Sequence, residues 1–444
     1  MLPINSFWYY LAAVIFLSFL GCQKPTEPQK LSPPTVVITP EDASCTEVWL
    51  RLQFSTEEPV TSVTLSRNDS IIYRNTIFPA DTVFFDAGLE PNRVYLYNAA
   101  VTDQKGKKYD FMSEVRTLDT TSSDYVWQTF VFGEHSHSII RDIAVIDENN
   151  IWAVGDIYLK DNFGNNDFTC YNMAHWDGQS WNLLQTKYYT QSSSFVTLIS
   201  SIKVFSSENI WYGNLLYMEQ DSFYSIPLNI SFPSLIMDIA GPDPKNIVVI
   251  GENGNLAHYN GSSWTKLESQ TNLDLTSITY YEGKYYIIGN KEETGYSCLL
   301  ELKDNVTKKI FEGSWFTPHN GEYVGELLKI NQYSKYGIYI RSDGWIYRLE
   351  VLRDSFYLKQ TNSRFTRYTY DMSGTGHNNI WVAGEGGTVG HYNGINYQEI
   401  SSIRNSATFY RCVNVNGNVV AIGGEDLSSP LLSKARITIG KKIR

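Results

Sequence analysis

The stretch Asn150–Gly155 (NIWAVG) and its near-copies Asn246–Gly251 (NIVVIG) and Asn379–Gly384 (NIWVAG) decide the fold. In each copy a turn containing Asn leads into an almost wholly apolar run of β-branched and aromatic residues that ends at Gly. A short apolar run bounded by turn residues is typical of a strand that is buried on both faces. The sequence therefore predicts that one strand-containing unit is repeated along the chain.

Further copies extend this repeat over the C-terminal three quarters of the chain. Four weaker copies are Asn209–Gly213, Lys284–Gly289, Tyr336–Ile340 and Asn418–Gly423. The better copies continue into a second motif, in which Asp-Gly or Asn-Gly stands between aromatic residues: His175–Trp181, His258–Trp264 and His391–Tyr397. Asx-Gly between two strands is a strong hairpin signal. Each unit is thus predicted to contain four strands.

The lengths of these units predict a closed ring. Seven copies share residues 125–442, which gives roughly 45 residues per copy, the usual length of a four-stranded propeller blade. The last copy lacks a fourth strand, while 125–132 (YVWQTFVF) reads as a strand without a blade. Pairing the two closes the ring and removes its exposed edges. We therefore predict an all-β chain in which residues 125–442 form a seven-bladed β-propeller.

These motifs resemble those of bacterial secreted propellers, including the photosystem II assembly-factor-like group. The resemblance covers residues 125–442 and implies an architecture, not an activity. It implies structural roles for the tryptophans of the repeats, which are Trp152, Trp181, Trp211, Trp264 and Trp381. Sialidase-type propellers carry Ser-x-Asp-x-Gly-x-x-Trp boxes, and the sequence contains none.

Residues 35–118 predict a separate domain. Seven short alternating segments bounded by turn residues are typical of a β-sandwich. Leu89 and Pro91 ahead of Tyr95 resemble the fibronectin type III pattern. That resemblance implies that the Tyr95 hydroxyl bonds back to nearby backbone and that Trp49 is a core aromatic. Residues 119–124 are polar and read as a linker, so we interpret the sandwich as a stand-off spacer.

The N-terminus predicts export. Phe7–Leu20 is apolar but too short to cross roughly 30 Å of hydrocarbon comfortably. It ends at Gly21-Cys22, which resembles the bacterial lipobox and implies that Cys22 is acylated. Residues 1–22 are then a lipoprotein signal peptide and 23–34 a Pro-rich tether. The predicted location is the cell envelope, at the outer membrane or cell surface rather than the inner membrane; an uncleaved membrane anchor is the alternative.

Composition narrows the choice of partners. The chain has 444 residues, with 36 Lys+Arg against 47 Asp+Glu and a net charge of −11. This balance excludes a basic surface for nucleic acid. Four cysteines remain beyond Cys22, and none stands in a CxxC spacing. They form either disulfides or buried single thiols. We expect no cofactor.

Acidic residues and long connections are the candidate binding features. Asp156, Glu252, Glu385 and Glu425 each follow the second strand of a unit, on the propeller face that also carries the connections between blades. They form either a ring that binds cations or basic protein segments, or ordinary solvated turns. Longer connections hold Tyr189, Trp315 and Phe316, whose rings suit sugar stacking or protein contact equally.

The histidines do not predict a metal site. His175, His258 and His391 occupy one repeat position in separate blades, so they diverge around the ring and are interpreted as structural. His135 and His137 stand close together, but no carboxylate or cysteine accompanies them with metal-ligand spacing.

The function that these features favour is binding. We expect a non-catalytic, monomeric lipoprotein that touches the membrane only through its lipid anchor and whose propeller binds a protein or a glycan. The alternatives are an extracellular carbohydrate-active propeller enzyme and an assembly factor for an envelope complex. No catalytic residue is assigned.

Overall fold

Most of the chain forms β-strands, because its segments are short and either alternate apolar with polar residues or are apolar throughout. The computed structural model describes residues 32–443 except 58, 77–78, 190–193, 214, 220–221, 227–229, 315–316, 320–321, 353–356 and 430–431. Its helical segments there are two three-residue 3₁₀ turns, Glu292–Thr294 and Ser401–Ile403. Within these residues we find no helix whose length and hydropathy would let it span a bilayer. The predicted signal peptide, Cys22 and most of the predicted tether lie outside the described residues.

The first seven strands form two antiparallel sheets, which we call the N-terminal double sheet. They are β1 (Thr35–Ala43), β2 (Glu47–Ser55), β3 (Val60–Arg67), β4 (Ser70–Asn75), β5 (Asp81–Ala87), β6 (Val94–Asp103) and β7 (Lys108–Arg116). One sheet has the order β1-β2-β5 and the other β4-β3-β6-β7. Side chains of both sheets, such as Leu50 and Tyr97, share one buried core. Every second residue of these strands faces that core.

Tyr95 lies in the core of the double sheet, whereas Trp49 lies outside that core. The Tyr95 hydroxyl accepts a hydrogen bond of 2.8 Å from the backbone N–H of Glu90, which is the kind of bond expected for it. The expectation that Trp49 fills the core is wrong. Val48 and Leu50 occupy the core on either side of it, so the two-residue period of the strand turns Trp49 to the opposite face. Trp49 is nevertheless only 2% exposed, because it packs against the rest of the chain.

Seven four-stranded antiparallel sheets follow. Sheet 1 contains β9 (Ile139–Asp147), β10 (Asn150–Ile157), β11 (Tyr171–Trp176) and β12 (Trp181–Leu184); after the hairpin β13 (Lys187–Tyr189) and β14 (Ser194–Val196), sheet 2 contains β15 (Ile202–Ser206), β16 (Asn209–Tyr212), β17 (Leu216–Glu219) and β18 (Ser222–Ser225). Sheet 3 contains β19 (Ile236–Asp243), β20 (Asn246–Gly251), β21 (Leu256–Tyr259) and β22 (Trp264–Leu267), and sheet 4 contains β23 (Asp274–Tyr281), β24 (Lys284–Lys291), β25 (Tyr296–Lys303) and β26 (Val306–Gly313).

The remaining three sheets complete the series. After the hairpin β27 (Pro318–His319) and β28 (Glu322–Tyr323), sheet 5 contains β29 (Leu327–Ser334), β30 (Gly337–Ser342), β31 (Ile346–Leu349) and β32 (Leu358–Gln360). Sheet 6 contains β33 (Thr369–Gly376), β34 (Asn379–Gly384), β35 (Val389–Tyr392) and β36 (Tyr397–Glu399), and sheet 7 contains β37 (Thr408–Asn416), β38 (Val419–Ser429), β39 (Leu432–Lys442) and β8 (Tyr125–Phe132).

The seven sheets close into a ring. The first strand of each sheet contacts the first strand of the next, and β37 of sheet 7 contacts β9 of sheet 1. Seven hydrophobic clusters fill the seven gaps between neighbouring sheets, including the gap between sheets 7 and 1. Strand β8 pairs with β39 along its whole length, which is the pairing that the sequence predicts.

The ring has two sides, set by the direction of its strands. The turns between first and second strands, and between third and fourth strands, lie at one end of the sheets, which we call the docked side. The double sheet contacts this end at the turns before Gly337 and Asn379. The turns between second and third strands and the connections between sheets lie at the other end, which we call the open side.

Candidate functional site

The repeat motifs build a hydrogen-bonded frame within three of the sheets. The ring nitrogens of His175, His258 and His391 lie 3.0, 2.7 and 3.1 Å from the side-chain oxygens of Asn150, Asn246 and Asn379. These asparagines begin the second strand of the same sheet. The rings of His175 and His391 also stack on Trp152 and Trp381. The histidines therefore link neighbouring strands of sheets 1, 3 and 6 and lie too far apart to share a ligand.

The Asx-Gly hairpins of these sheets repeat one set of contacts. The side-chain oxygen of Asp177 accepts hydrogen bonds from two backbone N–H groups of its own turn, and Asn260 and Asn393 do the same. Gly178, Gly261 and Gly394 follow with φ of 93, 88 and 96°. A left-handed φ of this kind favours glycine.

The tryptophans predicted from the repeats lie between sheets. Trp152, Trp211 and Trp381 are buried in the gaps between sheets 1 and 2, 2 and 3, and 6 and 7. Trp264 is buried with Trp211, and Trp181 packs partly buried in the gap between sheets 7 and 1.

His135 and His137 make contacts within the protein, and the cysteines of the described residues are buried. His135 Nε2 lies 2.6 Å from the carbonyl oxygen of Leu159, and His137 Nδ1 lies 3.2 Å from Ser433 Oγ. The described residues contain no cluster of three or more His, Cys, Asp or Glu that would hold a metal ion. Four cysteines, Cys45, Cys170, Cys298 and Cys412, are buried free thiols.

A cavity of about 340 Å³ forms the mouth of the central channel on the open side. Its lining comes from the first strands of the sheets and from the side chains that flank them, and it combines charged groups with Tyr368 and Tyr370. Lys329 lies in the middle of this lining, 3.5 Å from both Asp238 and Asp371. Burial lowers the pKa of Lys329, but the surrounding carboxylates more than offset this and hold the pKa above its ordinary value.

The carboxylates of the channel tie successive first strands together. Asp142 accepts a hydrogen bond from the backbone N–H of Ile202 in the next sheet, at 2.7 Å. Asp238 and Asp371 accept equivalent bonds from the next sheets. Burial raises the pKa of Asp142 to about 7, with a smaller opposing effect of Lys329.

Arginines neutralise part of the predicted acidic ring. Asp156 pairs with Arg141 at 2.7 Å, and Glu425 pairs with Arg411 at 2.8 Å. Two other members differ: Glu385 accepts a hydrogen bond from the Tyr370 hydroxyl at 3.0 Å, and Glu252 is half-buried in its turn. All four lie on the open side, but the ring alternates charges and does not form one acidic surface.

The long connections also lie on the open side. Phe163 and Phe168, between β10 and β11, are 89% and 75% exposed. The hairpin β13–β14, which contains Tyr189, connects sheets 1 and 2, and the hairpin β27–β28 connects sheets 4 and 5. Trp315 and Phe316, predicted for this rim, lie outside the described residues, and only the backbone of Tyr189 is described.

The double sheet covers part of the docked side through Trp49 and a buried ion pair. The Trp49 ring stacks on His377 and Tyr336, with centroids 5.1 and 5.6 Å apart. Beside it, the carboxylate of Glu47 binds Arg348 and Lys359 of sheet 5. Burial raises the pKa of Glu47, but these two cations outweigh it and bring the pKa to about 2.

The predicted linker also contacts the ring. Thr121 donates a hydrogen bond to the carbonyl of Asn378, and Ser123 Oγ lies 2.8 Å from His391 Nδ1. The double sheet is therefore joined to the ring by side chains as well as by the covalent chain.

Sequence reasoning missed Arg341, Lys329 and Asp142, which line the channel mouth. A signal for the aspartates was present, since Asp142, Asp238 and Asp371 each occupy the same repeat position on a first strand. Arg341 carries no such signal because it lies in a weak copy of the repeat.

Comparison with known proteins identifies the fold of the ring. No family model matches the chain, and no curated protein matches it. The solved structure described as YCF48 bound to D1 peptide is 14% identical, with a TM-score of 0.52, and covers 73% of this chain and 100% of its own. YCF48 from Cyanidioschyzon merolae is 12% identical, with a TM-score of 0.49, over 71% of this chain and 98% of its own. The first likeness shows that the ring is a β-propeller.

Proposed function

We propose that this chain is a non-catalytic, lipid-anchored protein of the cell envelope whose propeller binds a segment of another protein on its open side. In this proposal an N-terminal fibronectin type III-like sandwich precedes a seven-bladed propeller. The seven filled gaps between sheets support the blade number, and the bond from the backbone N–H of Glu90 to the Tyr95 hydroxyl supports the fibronectin type III likeness.

The observation that carries the binding role is the concentration of exposed apolar side chains on the open side. Besides Phe163 and Phe168, the connections there expose Phe195, Leu198, Leu235 and Tyr323. Exposed apolar side chains that surround a cavity are typical of a protein-binding surface. The docked side offers less free surface because Trp49 and Glu47 already pack against it.

Two further points favour a protein segment over the alternatives. A solved propeller of the same fold is described as bound to a peptide. Two of the predicted acidic residues, Asp156 and Glu425, are already engaged in ion pairs with Arg141 and Arg411. We therefore prefer binding to carbohydrate hydrolysis, and an assembly factor would use the same open side.

The lipid anchor would hold the open side away from the membrane. Strand β1 contacts the propeller near the C-terminal end of the strand, through Glu41 and Asp42. Its first residue, Thr35, lies at the other end of the strand, roughly 25 Å away at 3.3 Å per residue. A tether from Cys22 would join β1 at Thr35. The sandwich would then lie between the membrane and the propeller.

Site-specific photocrosslinking in the full, membrane-bound chain tests the proposal. A benzophenone amino acid at Phe168 should capture a protein partner in envelope extracts. The same group at Val306, which is 67% exposed on the docked side, is the matched control and should capture none. Equal yields of crosslinked partner at Phe168 and Val306, or crosslinking at Val306 alone, would contradict the proposal that the open side is the binding surface.

A further inference from the structure

Strand β8 leaves a long, uncharged edge on the outside of sheet 7. Its eight residues, Tyr125–Phe132, include no charged side chain, no proline and no glycine. Among the described residues β39 is the one strand that pairs with β8, so the other edge of β8 has no partner strand. Val126 and Val131 are 66% and 46% exposed. An exposed apolar edge of this kind is a template for pairing with another strand.

The outer strands of the other six sheets are protected in ways that β8 is not. Strands β12, β18, β22, β32 and β36 have three or four residues each. Strand β26 has eight residues, as β8 does, but it carries Lys308 and Lys309. Short outer strands and edge lysines are common means by which proteins prevent edge-to-edge pairing. Because β8 has neither, sheet 7 is the sheet to which a further strand can add.

The pairing with β39 determines which backbone groups of β8 point outward. The N–H of Ile443 donates to the carbonyl of Asp124, one position before the paired residues Tyr125 and Lys442. In an antiparallel pair, hydrogen-bonded positions alternate with positions whose N–H and C=O groups point away from the partner strand. The backbone groups that point outward are therefore those of Tyr125, Trp127, Thr129 and Val131.

The order of these four residues is self-complementary. In an antiparallel pair of two β8 strands related by a twofold axis at Gln128, each of the four lies opposite another of the four. The resulting pairs between copies are Tyr125 with Val131 and Trp127 with Thr129. Every outward N–H and C=O group of β8 then has a hydrogen-bond partner, and the new pair continues the ladder that already joins β8 to β39.

The side chains of the same register also suit one another. Val126 lies opposite Phe130, and Gln128 lies opposite Gln128 of the second copy. At every position except the centre, an aromatic side chain therefore faces a β-branched one, which is a favourable cross-strand combination. The pair brings no like charges together along β8, although the chain as a whole has a net charge of −11.

We propose that two copies of this chain associate through β8, so that the two copies of sheet 7 form one eight-stranded antiparallel sheet. This dimer takes the place of the monomer expected from the sequence. It uses the outer rim of sheet 7 and not the open side, so it goes beyond the proposed function and does not depend on it.

The twist of the sheet makes this dimer compatible with anchoring in one membrane. The first strands line the channel, and a twist of about 20–25° per strand turns the fourth strand by roughly 60–75° from the first. A twofold axis normal to the sheet at β8 therefore lies nearer to the direction of the channel than to the plane of the ring. Rotation about this axis leaves the open sides of both copies facing broadly the same way.

Charges at the centre of the pair test the proposal. Light scattering of the purified full chain in detergent should show a dimer. Gln128→Lys and Gln128→Glu each place like charges opposite each other, which should raise the dissociation constant of the dimer about tenfold or more. A mixture of the two variants should recover the affinity of the unchanged chain, because opposite charges then meet. Thr265→Lys, at an exposed position of the outer strand β22, is the matched control and should leave the dimer intact.

A cysteine trap tests the register. Residues opposite each other at a position without backbone hydrogen bonds have Cα atoms about 4.5 Å apart, which is within the range of a disulfide. Oxidation of Gln128→Cys should therefore link two copies. Val126→Cys is the matched control, because its two copies would lie four residues apart along the strands, roughly 14 Å. The cysteines of the described residues are buried, and the unchanged chain measures any background.

Three results would overturn the proposal. They are a monomeric unchanged chain, equal disulfide yields from Gln128→Cys and Val126→Cys, and a mixture of the two charged variants that stays monomeric. Each leaves the proposed function standing if Phe168 still captures a partner on the open side, so the two failures are distinguishable. Thermal melting checks that each variant is folded, and if a charged variant is not, the two cysteine variants still decide the outcome.

Discussion

His391 is completely buried against the indole ring of Trp381, and its ring nitrogens contact Asn379, Thr121 and Ser123. Burial lowers its pKa from 6.5 to about 4, and the nearby charge of Lys442 adds to this effect. The neutral ring is therefore part of the folded state. In the unfolded chain the same ring takes up a proton at a higher pH.

This difference predicts an acid-sensitive stability. Between pH 6.5 and pH 4 the unfolded chain binds a proton that the folded chain does not, so the free energy of unfolding should fall as pH falls through this range. The loss reaches about 3 kcal/mol at 1.36 kcal/mol per pKa unit. Urea unfolding at pH 7.0 and pH 4.5 measures it. His391→Gln should show a markedly smaller loss, and an equal loss in the variant would contradict this origin.

Strand β8, which completes the ring, packs tightly against β39. Trp127 lies directly opposite Gly440 on β39, and a Cβ atom on Gly440 would lie 2.5 Å from the Trp127 ring. The ring of Trp127 also packs against Trp381. Gly440 is therefore needed for its lack of a side chain, because the outer strand approaches it so closely.

We predict that Gly440→Val destabilises the propeller by about 2 kcal/mol, the usual cost of overpacking. The added side chain should displace Trp127 and loosen β8, which urea unfolding and amide hydrogen exchange of residues 125–132 would detect. Gly344→Ala is the control, because a Cβ there meets no atom within 4 Å. Its stability should change by less than about 0.5 kcal/mol. Unchanged exchange in Gly440→Val would show that β8 does not depend on this contact.

A buried ion pair is one of the contacts that join the double sheet to the propeller. Glu47 of the double sheet and Arg348 of the propeller have side chains that are 6% and 5% exposed. Lys359 also pairs with Glu47, and Glu350 also pairs with Arg348. Removal of one member of the Glu47–Arg348 pair therefore leaves the other buried charge with one counter-charge fewer, which is costly in a buried site.

We therefore predict strong coupling between these two positions. Glu47→Gln and Arg348→Met should each lower stability by about 3 kcal/mol, and the double variant should lose clearly less than the sum. Calorimetry should also show the double sheet and the propeller unfolding in one transition in the unchanged chain and in two in each single variant. Additive losses would mean that the pair contributes little to docking.

The sequence predicted the elements better than the site. The Asn-Ile-Trp and Asx-Gly motifs marked second strands and hairpins because both are local patterns. The alternation of charges on the open side could not be predicted, because Arg141 and Arg411 lie on first strands and reach carboxylates that lie on second strands. Trp49 was misplaced because its type suggested a sandwich core, while its register turned it towards the propeller.

The sequence by itself determined the repeated strands, their turns and the strand that closes the ring, since periodicity, glycine positions and apolar runs act over a few residues. Only the tertiary structure decided how the double sheet docks and which charges are brought together at the channel mouth. Those outcomes depend on groups far apart in the chain, such as Glu47 and Arg348, which are separated by 301 residues. Their energies arise from burial and proximity, which exist only after the ring has closed.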